Sequence, residues 1–246
     1  MANEDLVTQT TEDPQRRGRE DGPAPEVSPE DLIRFRDLLQ ETTGLRWEER
    51  NTAALQGRLK ERLAGSGISD CGDYYQWLAD ASGQVELSRL AASLLVAETS
   101  FLRYPAQFAA LRDHVLPELI QRRALWSRRM AIWSAGCATG EEPYSLAFLV
   151  EEHPILRGWE VEILGTDLDR DSLRQARERV YGVHTLRGMS DEQRQRYFDH
   201  VNEHFQLREE FARRVEFRFG NLMEEALPRP SRGNKWDVIF CRNVFI

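Results

Sequence analysis

The sequence predicts an α/β protein in two parts, a small all-helical N-terminal domain followed by a larger domain on a mostly parallel sheet. Up to about residue 100, leucine and phenylalanine recur at helical spacing. After about residue 128, short apolar runs alternate with amphipathic stretches, the pattern of βαβ units. The first of those runs ends in a turn bounded by glycines that opens a helix, the place where open parallel sheets bind ligands.

Taken in order, residues 1–27 hold seven acids, three arginines and three prolines with almost no apolar periodicity, and read as a disordered acidic tail. Its net charge of −4 is half of the chain's −8, so the folded part is closer to neutral. Ser28-Pro29-Glu30-Asp31 is a helix start, a cap residue followed by proline and two acids. Leu32, Phe35, Leu38 and Leu39 then share a face. A second helix carries Leu55, Leu59 and Leu63 and ends near Gly65, and Tyr74–Ala81 and Val85–Val96 read as two more. These helices form the domain expected over residues 28–100. In the second domain, 101–246, Met130–Ala135 and Val161–Leu164 read as buried strands. Glu141–Glu152 and Asp171–Tyr181 read as helices, and Val215–Phe219 and Val238–Cys241 as further strands. Residues 183–213 are mixed and polar and give no clear assignment.

Composition narrows the function. With 246 residues, 41% hydrophobic and 30% charged, the chain can bury one large core or two modest ones. Its longest apolar runs, such as Ala91–Ala97, are too short to cross a bilayer, and the N-terminus has no stretch of signal-peptide length. Cys71, Cys137 and Cys241 are scattered, which suits a reducing cytoplasm. Neither they nor the five histidines show metal-ligand spacing, so no metal site is expected. The negative net charge argues against a general nucleic-acid binder.

The turn after the first strand is Gly136-Cys137-Ala138-Thr139-Gly140-Glu141-Glu142-Pro143. A dinucleotide site seats its pyrophosphate on the helix N-terminus, where free N–H groups and the dipole attract anions. Glu141 and Glu142 stand there and repel it. They welcome a ligand with a cationic end, as S-adenosylmethionine has in its ammonium and sulfonium. The alternative is that Thr139 and Glu142 form a capping box and nothing more. Asp167 follows the second strand, where an acid can accept from both ribose hydroxyls. Its alternative is to cap the next helix, as Asp169 or Asp171 could equally.

At this point several separated runs coincide with one family. Glu98-Thr-Ser-Phe-Leu-Arg103 and Trp133-Ser-Ala-Gly-Cys-Ala-Thr-Gly-Glu-Glu-Pro-Tyr-Ser145 come first. Thr166-Asp-Leu-Asp169, Arg196-Tyr-Phe198, Gly220-Asn-Leu222 and Phe240-Cys-Arg-Asn-Val244 follow in the same order. Over residues 29–246 the chain resembles the chemotaxis receptor methyltransferases, the CheR family. The resemblance implies a Rossmann-like class I methyltransferase domain that binds S-adenosylmethionine and releases S-adenosylhomocysteine. It implies that Thr99, Arg103, Glu142, Asp167, Asn221, Leu222, Arg242 and Asn243 contact the cofactor, with Arg103 also placing the acceptor. It implies a cytoplasmic enzyme that esterifies glutamate side chains on a chemoreceptor-like protein. Arg58, Lys60 and Arg62 of the second helix would meet that partner's acidic methylation region.

Two departures from the family stand out. Ala97 replaces a usual asparagine, and the sequence ends at Ile246, where the family continues with a tyrosine, a phenylalanine and the last strands of the sheet. The chain therefore reads as truncated. Both departures keep open an alternative, a non-catalytic regulator that binds S-adenosylmethionine or S-adenosylhomocysteine. A nucleotide-dependent oxidoreductase is the third reading, and the paired acids of the loop count against it.

Overall fold

A computed structural model describes residues 26–44, 51–94, 98–123 and 127–244. Nearly all of the predicted acidic tail, and Ala97, lie outside these residues.

Helix α1 (Pro29–Thr43) starts where the local chemistry predicts. Ser28 Oγ accepts the Asp31 N–H at 3.1 Å, and Asp31 Oδ2 accepts the Ser28 N–H at 3.2 Å. Helix α2 (Thr52–Ser66) runs past Gly65 and stops at Gly67, whose φ of 78° makes the left-handed cap. Helices α3 (Cys71–Ala79) and α4 (Gln84–Leu94) complete the bundle. Phe35, Leu39, Leu55, Leu59, Leu63, Leu78 and Leu90 are buried at its centre. Each contributes roughly 1.5–3 kcal/mol by leaving water.

One charge enters this core. Glu86 is buried and accepts from Arg62 Nε at 2.8 Å and from the Tyr74 hydroxyl at 2.9 Å. Burial, then the Glu86 carboxylate, pushes the Tyr74 phenol well above its usual range.

Residues 98–104 lead into the second part. Phe101 has no exposed surface and sits against Tyr181, Phe198 and Phe148, with ring centroids 4.8, 5.0 and 5.9 Å away. Helix α5 (Pro105–Ala110), a π-helical turn (Leu111–Val115) and α6 (Leu116–Arg123) continue one another.

The main sheet begins with β1 (Arg129–Ala135), α7 (Glu141–Glu152), β2 (Glu160–Asp167) and α8 (Arg170–Glu178). Strands β6 (Val215–Phe219) and β7 (Val238–Cys241) complete the order β6-β2-β1-β7, with every pair parallel. Trp133 lies opposite Leu164 on one side and Ile239 on the other. Six of the seven residues of β1 are buried, as expected of an interior parallel strand.

Within the sheet domain, two predicted boundaries move most. Strand β2 continues beyond Leu164 to Asp167 because β6 pairs along it, Gly165 with Phe217 and Asp167 with Phe219. Helix α8 ends at Glu178, where Arg179 turns left-handed (φ 64°) and feeds the short strand β3 (Val180–Tyr181).

The unassigned region 183–213 holds α9 (Asp191–Tyr197), β4 (Phe198–Val201), β5 (His204–Leu207) and α10 (Glu209–Ala212). Strands β4 and β5 form a hairpin, and β3 adds to it antiparallel in the order β3-β5-β4. Elements of four residues carry too little periodicity to show in sequence, although Ser190 and Gln193 make a capping box that announces α9.

Because the four main strands run the same way, the chain segments after β1, β2, β6 and β7 gather at one end of the sheet. There they meet the C-terminus of α1.

Candidate cofactor and active site

These segments surround a cleft of about 410 Å³, walled on the other side by Thr43, Gly44 and Ala92 of the helical part. The turn after β1 is shaped for close packing. Gly136 (φ 72°) and Gly140 (φ 93°) are left-handed, and a Cβ on Gly140 would come within 2.9 Å of the Ala176 Cβ. The N–H groups of Gly136 and Cys137 both donate to the Thr166 carbonyl, at 2.8 and 2.9 Å.

The capping-box reading of Thr139 and Glu142 is not realised. Helix α7 opens on Gly140, and the Thr139 hydroxyl donates to Glu141 at 2.7 Å. Glu142 turns into the cleft, where Oε1 accepts the Ser134 hydroxyl at 2.7 Å and Oε2 accepts Arg242 Nε at 2.5 Å. Arg242 also donates to the Arg103 carbonyl at 2.7 Å and to Gln107 Oε1 at 2.9 Å. Its guanidinium lies against the rings of Phe108, Phe240 and Tyr104. One cation thus ties β7 to α7 and to the 98–107 segment.

Asp167 does not cap α8. That position belongs to Asp169, whose carboxylate accepts the N–H groups of Asp171 and Ser172 at 3.0 and 3.2 Å. Asp167 braces the glycine turn instead, accepting the Ala138 N–H at 2.7 Å and the Asp169 N–H at 2.9 Å. Each carboxylate oxygen keeps a second lone pair for a ligand. Burial pushes its carboxyl above the usual range, and those two N–H groups oppose the shift.

The remaining predicted residues also line the cleft. Thr99, Arg103, Asn221, Leu222 and Asn243 all reach it. Arg103 is partly exposed, with its guanidinium donating to the Glu98 carbonyl and lying 5.2 Å from the Tyr104 ring centre. Asn221 has a structural tie, because Nδ2 donates to the Thr42 carbonyl at the end of α1 at 2.6 Å. Leu222 packs against the cluster of Trp133, Ala135 and Leu164 as well.

The basic residues of α2 divide. Arg62 is committed to Glu86, whereas Lys60 is exposed and Arg58 pairs with Glu61 at the surface. Sequence reasoning did not single out Ser134, although it stands within the Trp133–Ser145 run, and it missed Gln107, which no nearby pattern marks. It also treated Glu141 as a second cleft acid, and the structure buries it completely, away from the cleft lining. Among the described residues no cluster of His, Cys, Asp and Glu is fit to hold a metal, and no helix is long and apolar enough to cross a membrane.

The donor set fits S-adenosylmethionine. Glu142, the one acid at the head of α7 that faces the cleft, suits a ligand with a cationic end, and Asp167 at the end of β2 suits a ribose. Fold and site together define an S-adenosylmethionine-dependent methyltransferase. The chain belongs to the CheR methyltransferase family. Residues 97–246 match its "CheR methyltransferase, SAM binding domain" and residues 30–95 its "CheR methyltransferase, all-alpha domain". Among curated relatives, a chemotaxis protein methyltransferase of Borreliella burgdorferi is 29% identical over 89% of this chain and 78% of its own length. A probable chemotaxis protein methyltransferase of Rhizobium etli is 33% identical over 85% and 78%. A probable biofilm formation methyltransferase, WspC of Pseudomonas putida, is 34% identical over 87% of this chain but 49% of its own length. The chain therefore spans about half of the last relative and about three quarters of the other two.

Proposed function

We propose that this protein methylates glutamate side-chain carboxylates on the cytoplasmic part of a chemoreceptor-like signalling protein, giving methyl esters. One observation carries the reading. A single cleft holds two acids that suit a cationic cofactor, Glu142 and Asp167, and a partly exposed cation that suits an acidic acceptor, Arg103. The names of the chemotaxis relatives agree with it. Nothing observed favours the non-catalytic alternative.

In this reading Glu142 holds the amine of the cofactor and Asp167 its ribose, with Thr99, Asn221, Leu222, Arg242 and Asn243 completing the contacts. When bound, S-adenosylmethionine supplies a methyl group on a sulfonium, which passes to an acceptor oxygen while the sulfur leaves as a neutral thioether. A glutamate acceptor is already ionised at neutral pH, so no side chain has to remove a proton. The work of the protein is placement, which contributes up to about 7–11 kcal/mol in favourable cases. Arg103 orients the acceptor carboxylate without gripping both oxygens, since a bidentate grip would blunt the nucleophile. Apart from Thr99, the division of labour follows the chain, with residues 28–100 for recognition and 101–246 for chemistry. In the first, Arg58 and Lys60 present charge to the partner, and Arg62 holds their helix to α4.

The test uses methyl-labelled cofactor and a chemoreceptor cytoplasmic fragment. Alkali should release volatile labelled methanol, and the release should vanish when the receptor glutamates are replaced by alanine. Label that resists alkali would refute the ester and leave methyl transfer intact.

A further inference from the structure

The function proposed above makes no use of Glu141. Glu142 points into the cleft, whereas Glu141, the first residue of α7, has no exposed surface and no place in the cleft lining. Its Oε2 accepts the Thr139 hydroxyl at 2.7 Å, and the Thr99 side chain faces the same carboxyl. Its Oε1 is buried without any partner. The main chain of the same residue is engaged too. The Ser145 hydroxyl donates to the Glu141 carbonyl at 2.6 Å, and Ser145 Oγ accepts the Leu102 N–H at 2.9 Å.

Residues 98–104 are thus fastened to the first turn of α7 through the Leu102 N–H and Ser145, with the Thr99 side chain set beside the Glu141 carboxyl. The segment needs fastening. Leu102 (φ 53°) and Tyr104 (φ 61°) both adopt left-handed backbone, which side chains of this size rarely do and which persists only when the surroundings impose it. A buried carboxyl with an idle oxygen is itself unfavourable compared with an apolar side chain of similar size. Such a group survives where it secures something else. Between Leu102 and Tyr104 stands Arg103, and Thr99 and Arg103 both line the cleft.

We infer that Glu141 and Ser145 are positioning residues that hold the 98–104 segment in the conformation that turns Thr99 and Arg103 toward the cleft. Neither touches the cleft itself; both act through that segment. The part of this inference that concerns the cofactor rests on the function proposed above.

Two readouts test it on the full chain, with Glu141→Ala, Ser145→Ala and the milder Glu141→Gln, which keeps an acceptor for Thr139. The first is amide hydrogen exchange over residues 98–104 without added ligand. Both alanine variants should exchange there at least about tenfold faster than the parent, and Glu141→Gln should stay close to it. The second is calorimetric binding of S-adenosylhomocysteine, which should weaken about tenfold in the alanine variants and by less than about threefold in Glu141→Gln. Parental protection of 98–104 in both alanine variants overturns the inference, as does a glutamine variant as loose as the alanine one. If the parent does not bind S-adenosylhomocysteine, the functional reading fails, and the exchange data still decide the positioning.

Discussion

Arg242 Nε donates to Glu142 Oε2 at 2.5 Å, and the two side chains are only 13% and 11% exposed. The pair lies in a largely dry place, where losing one partner strands the other charge. Arg242→Met should therefore lower stability by about 3 kcal/mol or more and loosen the 98–107 segment, since the donors to the Arg103 carbonyl and Gln107 vanish with it. Chemical denaturation checks the first effect. Glu142→Gln keeps an acceptor for Arg242 and should cost less stability, but it should weaken S-adenosylhomocysteine binding about tenfold or more.

Asp167→Ala should also weaken S-adenosylhomocysteine at least tenfold, because two hydroxyls lose an ionised acceptor contributing about 1.5–3 kcal/mol each. It frees the Ala138 and Asp169 N–H groups as well, so the variant's melting temperature must be measured beside its affinity. Affinity equal to the parent's would confine Asp167 to bracing the turn.

Burial pushes the Glu141 carboxyl up to about 7 from an ordinary value near 4.5. The folded state then holds a proton that the unfolded state releases between those values. Stability should fall as pH rises from about 4.5 to about 7 and level off above, by roughly 3 kcal/mol at most. Other carboxyls, such as Glu216 beside Arg218, are lowered and act in the opposite sense at lower pH. The difference between parent and Glu141→Gln isolates the effect. Calorimetry should show the variant gaining on the parent at pH 8 relative to pH 5.

The basic residues of α2 should separate by experiment. Arg62→Ala leaves buried Glu86 short of its main cation and should destabilise the helical part by about 2–4 kcal/mol. Arg58→Ala and Lys60→Ala should change stability by less than about 0.5 kcal/mol while slowing methylation of a receptor fragment. Equal melting temperatures for all three variants would reverse this assignment.

How much of this was legible varies with the range of the interaction. The start of α1, all of α7 and the strands β6 and β7 depend on caps, periodicity and short apolar runs, and the sequence shows them. The acids of the first turn and of the second strand end could be read as a preference for a cationic nucleoside, because position on a βα turn follows from local pattern alone. The alternation of runs was enough for a parallel sheet.

Only the tertiary structure decided what each polar group does there. Glu141 and Glu142 are adjacent and identical in type, and helix geometry sends one into the interior and the other into the cleft. Arg242 is 100 residues from Glu142, and Asn221 is 179 residues from the Thr42 carbonyl it ties down. No local pattern encodes such pairings, since they arise when parallel strands bring their far-separated ends to one edge. The same holds for Arg62, which by composition is one of three cations on a helix and by packing is the counter-charge of a buried acid. Sequence settled which chemical groups were available at the sheet edge, and packing settled which of them were left free to meet a ligand.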